Sequence, residues 1–162
     1  MLVAHYIGAH RDDTLTARIG WAAVRAVQRG PWRDVTHVEA IHEAHEDGTF
    51  TIASSSLRDG GVRDKRVRLA PSHWIVVDVP QWDVRESIEL LEHTRGMPYD
   101  WRGAGATVLP LRQSNGGYFC TEWVAAPFLW ASYIFGPAQL CAITMSIGRD
   151  VTDEFFARMS AK

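Results

Sequence analysis

The largely apolar stretch Leu2 to Ile7 suits a short strand, and beyond it Leu15, Ile19, Ala22, Ala23 and Ala26 recur on one side of a helix. Asp12, Asp13 and Thr14 supply N-cap chemistry for that helix, and Gly30-Pro31 ends it. Asp34 to Ile41 reads as a strand whose hairpin partner is Thr49 to Ala53, joined across Glu46-Asp47-Gly48, where the Asp-Gly pair suits positive φ. Ser54 to Lys65 carries serines, Gly60-Gly61 and several charges, a loop composition, before Trp74 to Val79 resumes a β-rich run closed by Pro80. Asp83 with Glu86 opens a helix in the manner of a capping box; it presents Val84, Ile88 and Leu91 and stops at Gly96 and Pro98. Asn115-Gly116-Gly117 is a turn feeding Tyr118 to Ala126, the first turns of a buried helix, and Thr152 caps a last helix carrying Phe155, Phe156 and Met159. The mixture predicts an α+β fold, an antiparallel sheet packed against helices.

Composition narrows the function more than the fold. The chain has 162 residues with 46% hydrophobic and 22% charged, which fits a single globular domain over 1–162. Seventeen basic residues against 19 acidic ones give a net charge of -2, which argues against nucleic-acid binding through a broad basic surface. The most apolar run, Trp123 to Phe135, is too short for a membrane span and contains Pro127, so no integral membrane segment is expected. The N-terminus lacks the basic and apolar regions of a secretory signal, which leaves a cytoplasmic or phage-associated protein as the expectation. Nothing in composition or motif sets an oligomeric state.

Two cysteines, Cys120 and Cys141, are too few for a disulfide framework and lack CxxC spacing. Cys120 falls near a helix N-terminus, where backbone N–H groups and the helix dipole favour a thiolate and can hold a developing oxyanion. The competing reading is a small buried hydrophobe. Among the seven histidines, His37 lies in Val35-Thr36-His37-Val38-Glu39-Ala40-Ile41, where period 2 puts His37 and Glu39 on one face. Glu39 can then fix the imidazole tautomer; the alternative is an edge strand with a solvated polar face. His42, His45 and His93 read as exposed. His37-Val38-Glu39 matches the start of a zinc-deaminase pattern, but P-C-x-x-C is missing, and His42-Glu43-Ala44-His45 is one residue short of H-E-x-x-H. No metal site is expected. Gly103 to Val108 starts like a dinucleotide loop, yet it lacks the third glycine and a preceding strand, so it reads as a turn and no cofactor is called for.

Thr36-His37-Val38-Glu39, the Ser54-Ser55-Ser56-Leu57-Arg58-Asp59-Gly60-Gly61-Val62-Arg63 stretch, Met97-Pro98-Tyr99-Asp100-Trp101 and Tyr118-Phe119-Cys120-Thr121-Glu122 occur in an order that resembles the circularly permuted branch of the NlpC/P60 superfamily, closest to its uncharacterised bacterial and phage members. These are papain-like cysteine hydrolases in which histidine precedes cysteine. The resemblance spans most of the chain and implies a permuted papain-like fold, Cys120 as nucleophile and His37 as general base. A Glu-Ala pair expected near Ala53 is absent, so Glu39 is the ionisable candidate for orienting the imidazole and Ser54 the weaker one. Tyr118 and Tyr99, with Ser54, are the candidate substrate contacts, the tyrosines either lending a phenol or simply packing. The implied activity is a peptidase or amidase acting on peptide or acyl-amide and ester substrates, cell-wall peptides first. The rival is a non-catalytic phage or cell-wall interaction module that keeps the fold.

Overall fold

The computed structural model describes residues 1–8, 15–107 and 116–160. Strands β1 (Leu2–Ile7), β2 (Val35–Ala44), β3 (Phe50–Ser56), β4 (Gly61–Val67), β5 (Trp74–Asp78) and β6 (Arg149–Asp150) form one sheet. Its order is β4-β3-β2-β1-β5-β6, every neighbouring pair antiparallel. The helices are α1 (Leu15–Val27), α2 (Val84–Thr94), α3 (Trp101–Ala106), α4 (Cys120–Ala125), α5 (Pro137–Ile147) and α6 (Thr152–Ser160). The chain is α+β, as its patterning predicts. Among the described residues no helix is long and apolar enough to cross a membrane.

Strand alternation builds a core on each face of the sheet. Val3, Val38, Ala40, Ala53 and Val77 point toward Leu91 of α2, Trp123 and Val124 of α4 and Leu140 of α5. Ala4, Ile41, Phe50, Ile52 and Val76 point the other way, toward Val151 and Phe156 at the α6 end. Gln28, just past α1, joins three elements: its Nε2 donates to the Val35 carbonyl at 2.7 Å, and its Oε1 accepts from the Ala138 N–H at 2.6 Å.

Several elements differ from their sequence reading, each for a tertiary reason. Most of the expected Ser54–Lys65 loop is strand: Ser54 to Ser56 complete β3, Gly61 begins β4, and only 57–60 turn. Among the charges that made it look like a loop, Arg63 pairs with Glu39 of β2 and both Arg63 and Lys65 pair with Asp59 of the turn. Gly103 to Ala106 is helical rather than a turn, because Asp100 caps α3 by accepting from the Gly103 N–H at 2.9 Å. In α2 the buried positions are Ser87, Leu91 and Thr94, whereas Ile88 is exposed. Asp83 does cap α2, accepting from the Arg85 N–H at 2.9 Å. At α6 the capping carboxylate is Asp150, which accepts from the Thr152 N–H at 2.9 Å, while Thr152 Oγ1 accepts from the Val76 N–H. The apolar side expected of α1 is not core: Leu15, Ala22, Ala23 and Ala26 are exposed. The caps read at Asp12, Asp13 and Thr14, the Ile19 side chain and the Asn115 end of the glycine turn lie outside the described residues. Helix α5, apolar on most sides, is not announced by the periodicity at all.

The segment after α2 is bound edge-on to β4. The Val62 N–H donates to the Met97 carbonyl at 2.9 Å and the Tyr99 N–H to the Gly60 carbonyl at 3.1 Å. A Cβ on Gly61, whose φ is +155°, would run into the Met97 carbonyl oxygen. Gly61→Ala is therefore expected to cost about 2 kcal/mol. Urea unfolding measures it, and Gly116→Ala, where a Cβ meets nothing within 4 Å, is the control.

Candidate active site

A bulge in β2 sets the site. Tyr6 pairs with His37 and Ile7 with Val35, so Thr36 is an extra residue opposite β1. Thr36 Oγ1 donates to the Gly8 carbonyl at 2.8 Å, which anchors the bulge. Beyond it His37 and Glu39 project from the same face, and β2 lies between β1 and β3 rather than at an edge. Glu39 is 1% exposed and His37 7% exposed, so the solvated-edge alternative does not describe this strand.

A buried carboxylate needs a partner, and Glu39 has two. Arg63 on β4 grips it with both terminal nitrogens, Nη2 to Oε1 at 2.6 Å and Nη1 to Oε2 at 2.7 Å. His37 Nε2 donates to Oε1 at 2.8 Å. Burial favours the neutral acid, but Arg63 and then His37 outweigh it and hold the Glu39 carboxyl down to about 2. Arg63 is itself steadied by Asp59, whose Oδ2 accepts from Arg63 Nε at 2.6 Å and from Lys65 Nζ at 2.9 Å.

Cys120 is the other partner of the imidazole. It is the first residue of α4, which lies against β2 and β3, and its thiol is hydrogen-bonded to His37. Burial alone would push the His37 imidazole down; Glu39 and then Cys120 overcome it and raise it to about 9. With Nε2 committed to Glu39, Nδ1 is the ring nitrogen that can exchange a proton with the sulfur. The approach to α4 is held by backbone on both sides. The Tyr118 carbonyl accepts from Ser55 Oγ at 2.5 Å and from the Asp100 N–H at 2.9 Å, and the Tyr118 N–H donates to Pro98. The Phe119 N–H reaches the Glu122 carboxylate at 3.4 Å.

The thiol opens on a cavity of about 270 Å³ lined mainly by apolar groups, among them Val24 and Val27 of α1, Leu57, Trp101, Phe119 and Pro137. Ala23, Val24 and Val27 of α1 form a wall of this cavity, whereas the exposed Leu15, Ala22 and Ala26 do not line it. Tyr99 lines it too, and burial followed by the charge of Cys120 pushes its phenol up, so that it remains an O–H donor.

Of the residues read from sequence, the structure brings together Cys120, His37, Glu39 and Tyr99. Tyr118 takes part through its backbone and lines neither this cavity nor the groove beside His37. Ser54 has no exposed surface, its Oγ donates to the Ser55 carbonyl, and it is not placed to touch a ligand. Of the histidines read as exposed, His93 is, but His42 is half-buried against Ser87 Oγ at 2.9 Å and His45 against Thr51 Oγ1 at 2.8 Å. Among the described residues no three His, Cys, Asp or Glu side chains gather as metal ligands. Arg63 and Asp59 carry no role in the sequence reading, because a stretch taken as loop offers no strand period to place Arg63 on the face of Glu39. Cys141 is wholly buried, and burial raises its thiol to about 12. Comparison with protein-family models, with curated proteins and with solved structures finds no match.

Two outcomes follow from this geometry. Arg63→Met leaves a buried charge without its counter-ion and should cost about 3–5 kcal/mol in chemical unfolding; Arg66→Met, which removes an exposed pair with Asp47, should change little. His37 rises from 6.5 to about 9 on folding, so its contribution to stability is complete below pH 6.5 and is lost as pH climbs through 9. The Tm of His37→Gln should therefore fall less steeply than wild type between those values, and parallel profiles would contradict the assignment.

Proposed function

We propose that the protein is a cysteine hydrolase of the permuted papain-like type, cleaving an amide or ester through a thioester. The observation that carries this reading is the buried chain Cys120–His37–Glu39–Arg63, with Cys120 lining an apolar cavity. A structural cysteine has no need of an imidazole whose tautomer is fixed by a buried carboxylate, whereas a nucleophile does. The histidine strand preceding the cysteine helix is the order of the permuted NlpC/P60 branch.

In the first half-reaction the Cys120 sulfur, its proton already carried by the His37 imidazolium, attacks the acyl carbon, and the imidazolium gives its Nδ1 proton to the departing nitrogen or oxygen as its bond to carbon breaks. In the second, water gives a proton to His37 and its oxygen to the thioester carbon, releasing the acid as the carbon–sulfur bond breaks and restoring the sulfur–imidazolium pair. Glu39 keeps Nε2 protonated and stabilises the imidazolium at each stage. Tyr99, a protonated phenol beside Cys120, is assigned as a donor to the tetrahedral oxyanion.

The lining of the cavity bears on the substrate. Cell-wall peptides, the first expectation from the resemblance, bring polar and charged side chains that such a lining does not match. An apolar acyl group does match it, and a volume of about 270 Å³ favours a short or medium one.

A series of 4-nitrophenyl esters from acetate to dodecanoate tests the reading, with acyl-enzyme followed by mass. Turnover should peak at intermediate chain length. Cys120→Ala should abolish both turnover and the adduct while remaining folded, and His37→Gln should lower kcat about 10²–10⁴-fold. Tyr99→Phe should lower it about 10²-fold. Wild-type turnover in Cys120→Ala would end the thiol mechanism, and wild-type protein that neither turns over nor forms an adduct would favour the non-catalytic module.

A further inference from the structure

Helix α1 has two unlike sides. Ala23, Val24 and Val27 wall the cavity that Cys120 lines. On the other side Ala22, Arg25 and Ala26 line a shallow surface depression together with Arg29 and Arg33 of the segment that follows the helix. The helical period makes this division, and it puts the exposed Leu15 and Arg18 on the outer side as well. No element of the described structure covers that side: Leu15, Arg18, Ala22, Arg25, Ala26 and Arg29 are all exposed.

The charge there has one sign. From Leu15 to Arg33 the chain carries four arginines and no acidic residue, in a protein whose net charge is -2. Asp34 closes the stretch and is taken by Arg25 at 2.5 Å. Arg18, Arg29 and Arg33 are exposed and have no carboxylate partner among the described residues. The cavity reaches solvent close by. Val27, two residues before Arg29, is 42% exposed and Trp101 of α3 is 55% exposed, and both line the cavity.

We propose that the outer side of α1 docks on an anionic phospholipid bilayer, with Arg18, Arg29 and Arg33 toward the headgroups, and that the acyl chain of the substrate enters the cavity from the bilayer past Val27 and Trp101. The inference rests on the hydrolase reading for what enters the cavity, whereas docking itself needs no turnover. Two observations favour a bilayer over an acidic protein or a nucleic acid. Arginines and exposed apolar side chains share one helix side, the composition of helices that lie at a lipid–water boundary, where the long arginine stems reach up to the headgroups. Behind that helix lies a cavity whose apolar lining matches a chain of low solubility in water.

Docking is tested on Cys120→Ala, so that no turnover consumes the lipid. It should co-sediment with vesicles of phosphatidylcholine and phosphatidylserine at least about tenfold more strongly than with phosphatidylcholine alone, and high salt should erase the difference. Adding Arg29→Gln/Arg33→Gln should weaken binding to the anionic vesicles at least about tenfold, since each arginine at such a surface is worth roughly fivefold. Ala26→Glu, which puts a carboxylate into the depression, should act in the same direction. Arg66→Gln/Arg85→Gln removes the same charge from exposed ion pairs elsewhere and should change binding less than about twofold. Equal binding to both kinds of vesicle, no binding to either, or an equal loss in the Arg66→Gln/Arg85→Gln control overturns the proposal. A dimer in solution that Ala26→Glu dissociates also overturns it, and gives this side of α1 to a second copy of the chain.

Delivery is tested on protein with Cys120 intact. The ratio of turnover of 4-nitrophenyl dodecanoate carried in the anionic vesicles to turnover of dissolved 4-nitrophenyl butyrate should fall at least about tenfold in Arg29→Gln/Arg33→Gln. Turnover of both esters with a ratio indifferent to those two arginines rejects entry from the bilayer and leaves the hydrolase standing. Vesicle binding with turnover of neither ester rejects the hydrolase and retains the docking surface.

Discussion

The carboxylate of Glu39 is the constraint on which the rest of the molecule depends. A charge with 1% exposure is tolerable only while its partners are in place. Those partners come from different strands: the imidazole from β2 itself and the guanidinium from β4, with β3 between them. Correct pairing of the β3–β4 hairpin is therefore also assembly of the site. A slip of one residue along β4 would turn Arg63 to the opposite face and leave the carboxylate unpaired.

That same carboxylate organises the chemistry. It fixes which imidazole nitrogen is free to meet Cys120, and its negative charge makes a protonated imidazole tolerable in a buried setting. Arg63 keeps Glu39 ionised, so in the proposed mechanism the moving proton is confined to the sulfur, the imidazole and the substrate. Cys120 lines an apolar cavity, whereas His37 and Glu39 line a separate groove.

How much of this was legible depends on the range of the interaction behind each feature. The hairpin at Gly48, strands β1 and β5 and the Asp83 cap rest on neighbours within a few residues, and they read directly from the chain. His37 and Glu39 could be placed on one face because strand period is local. Strand β4 was hidden, because Arg63, Asp64, Lys65 and Arg66 look solvated until the ion pairs that bury or occupy them are known. The apolar side of α1 misled in the opposite sense: Leu15, Ala22, Ala23 and Ala26 are exposed, because apolar spacing reports that a surface is hydrophobic and not that another element covers it.

From its sequence alone this chain was determined to be an α+β protein with a cysteine entering a helix and a histidine–glutamate pair on a strand, since periodicity and capping are properties of short stretches. Tertiary structure decided that the sulfur meets the imidazole, that Glu39 rather than Ser54 orients it with Arg63 holding the carboxylate, and that unlike pockets flank the pair. Each of these joins residues far apart along the chain, and only the folded arrangement of strands, bulge and helix sets the distances between them.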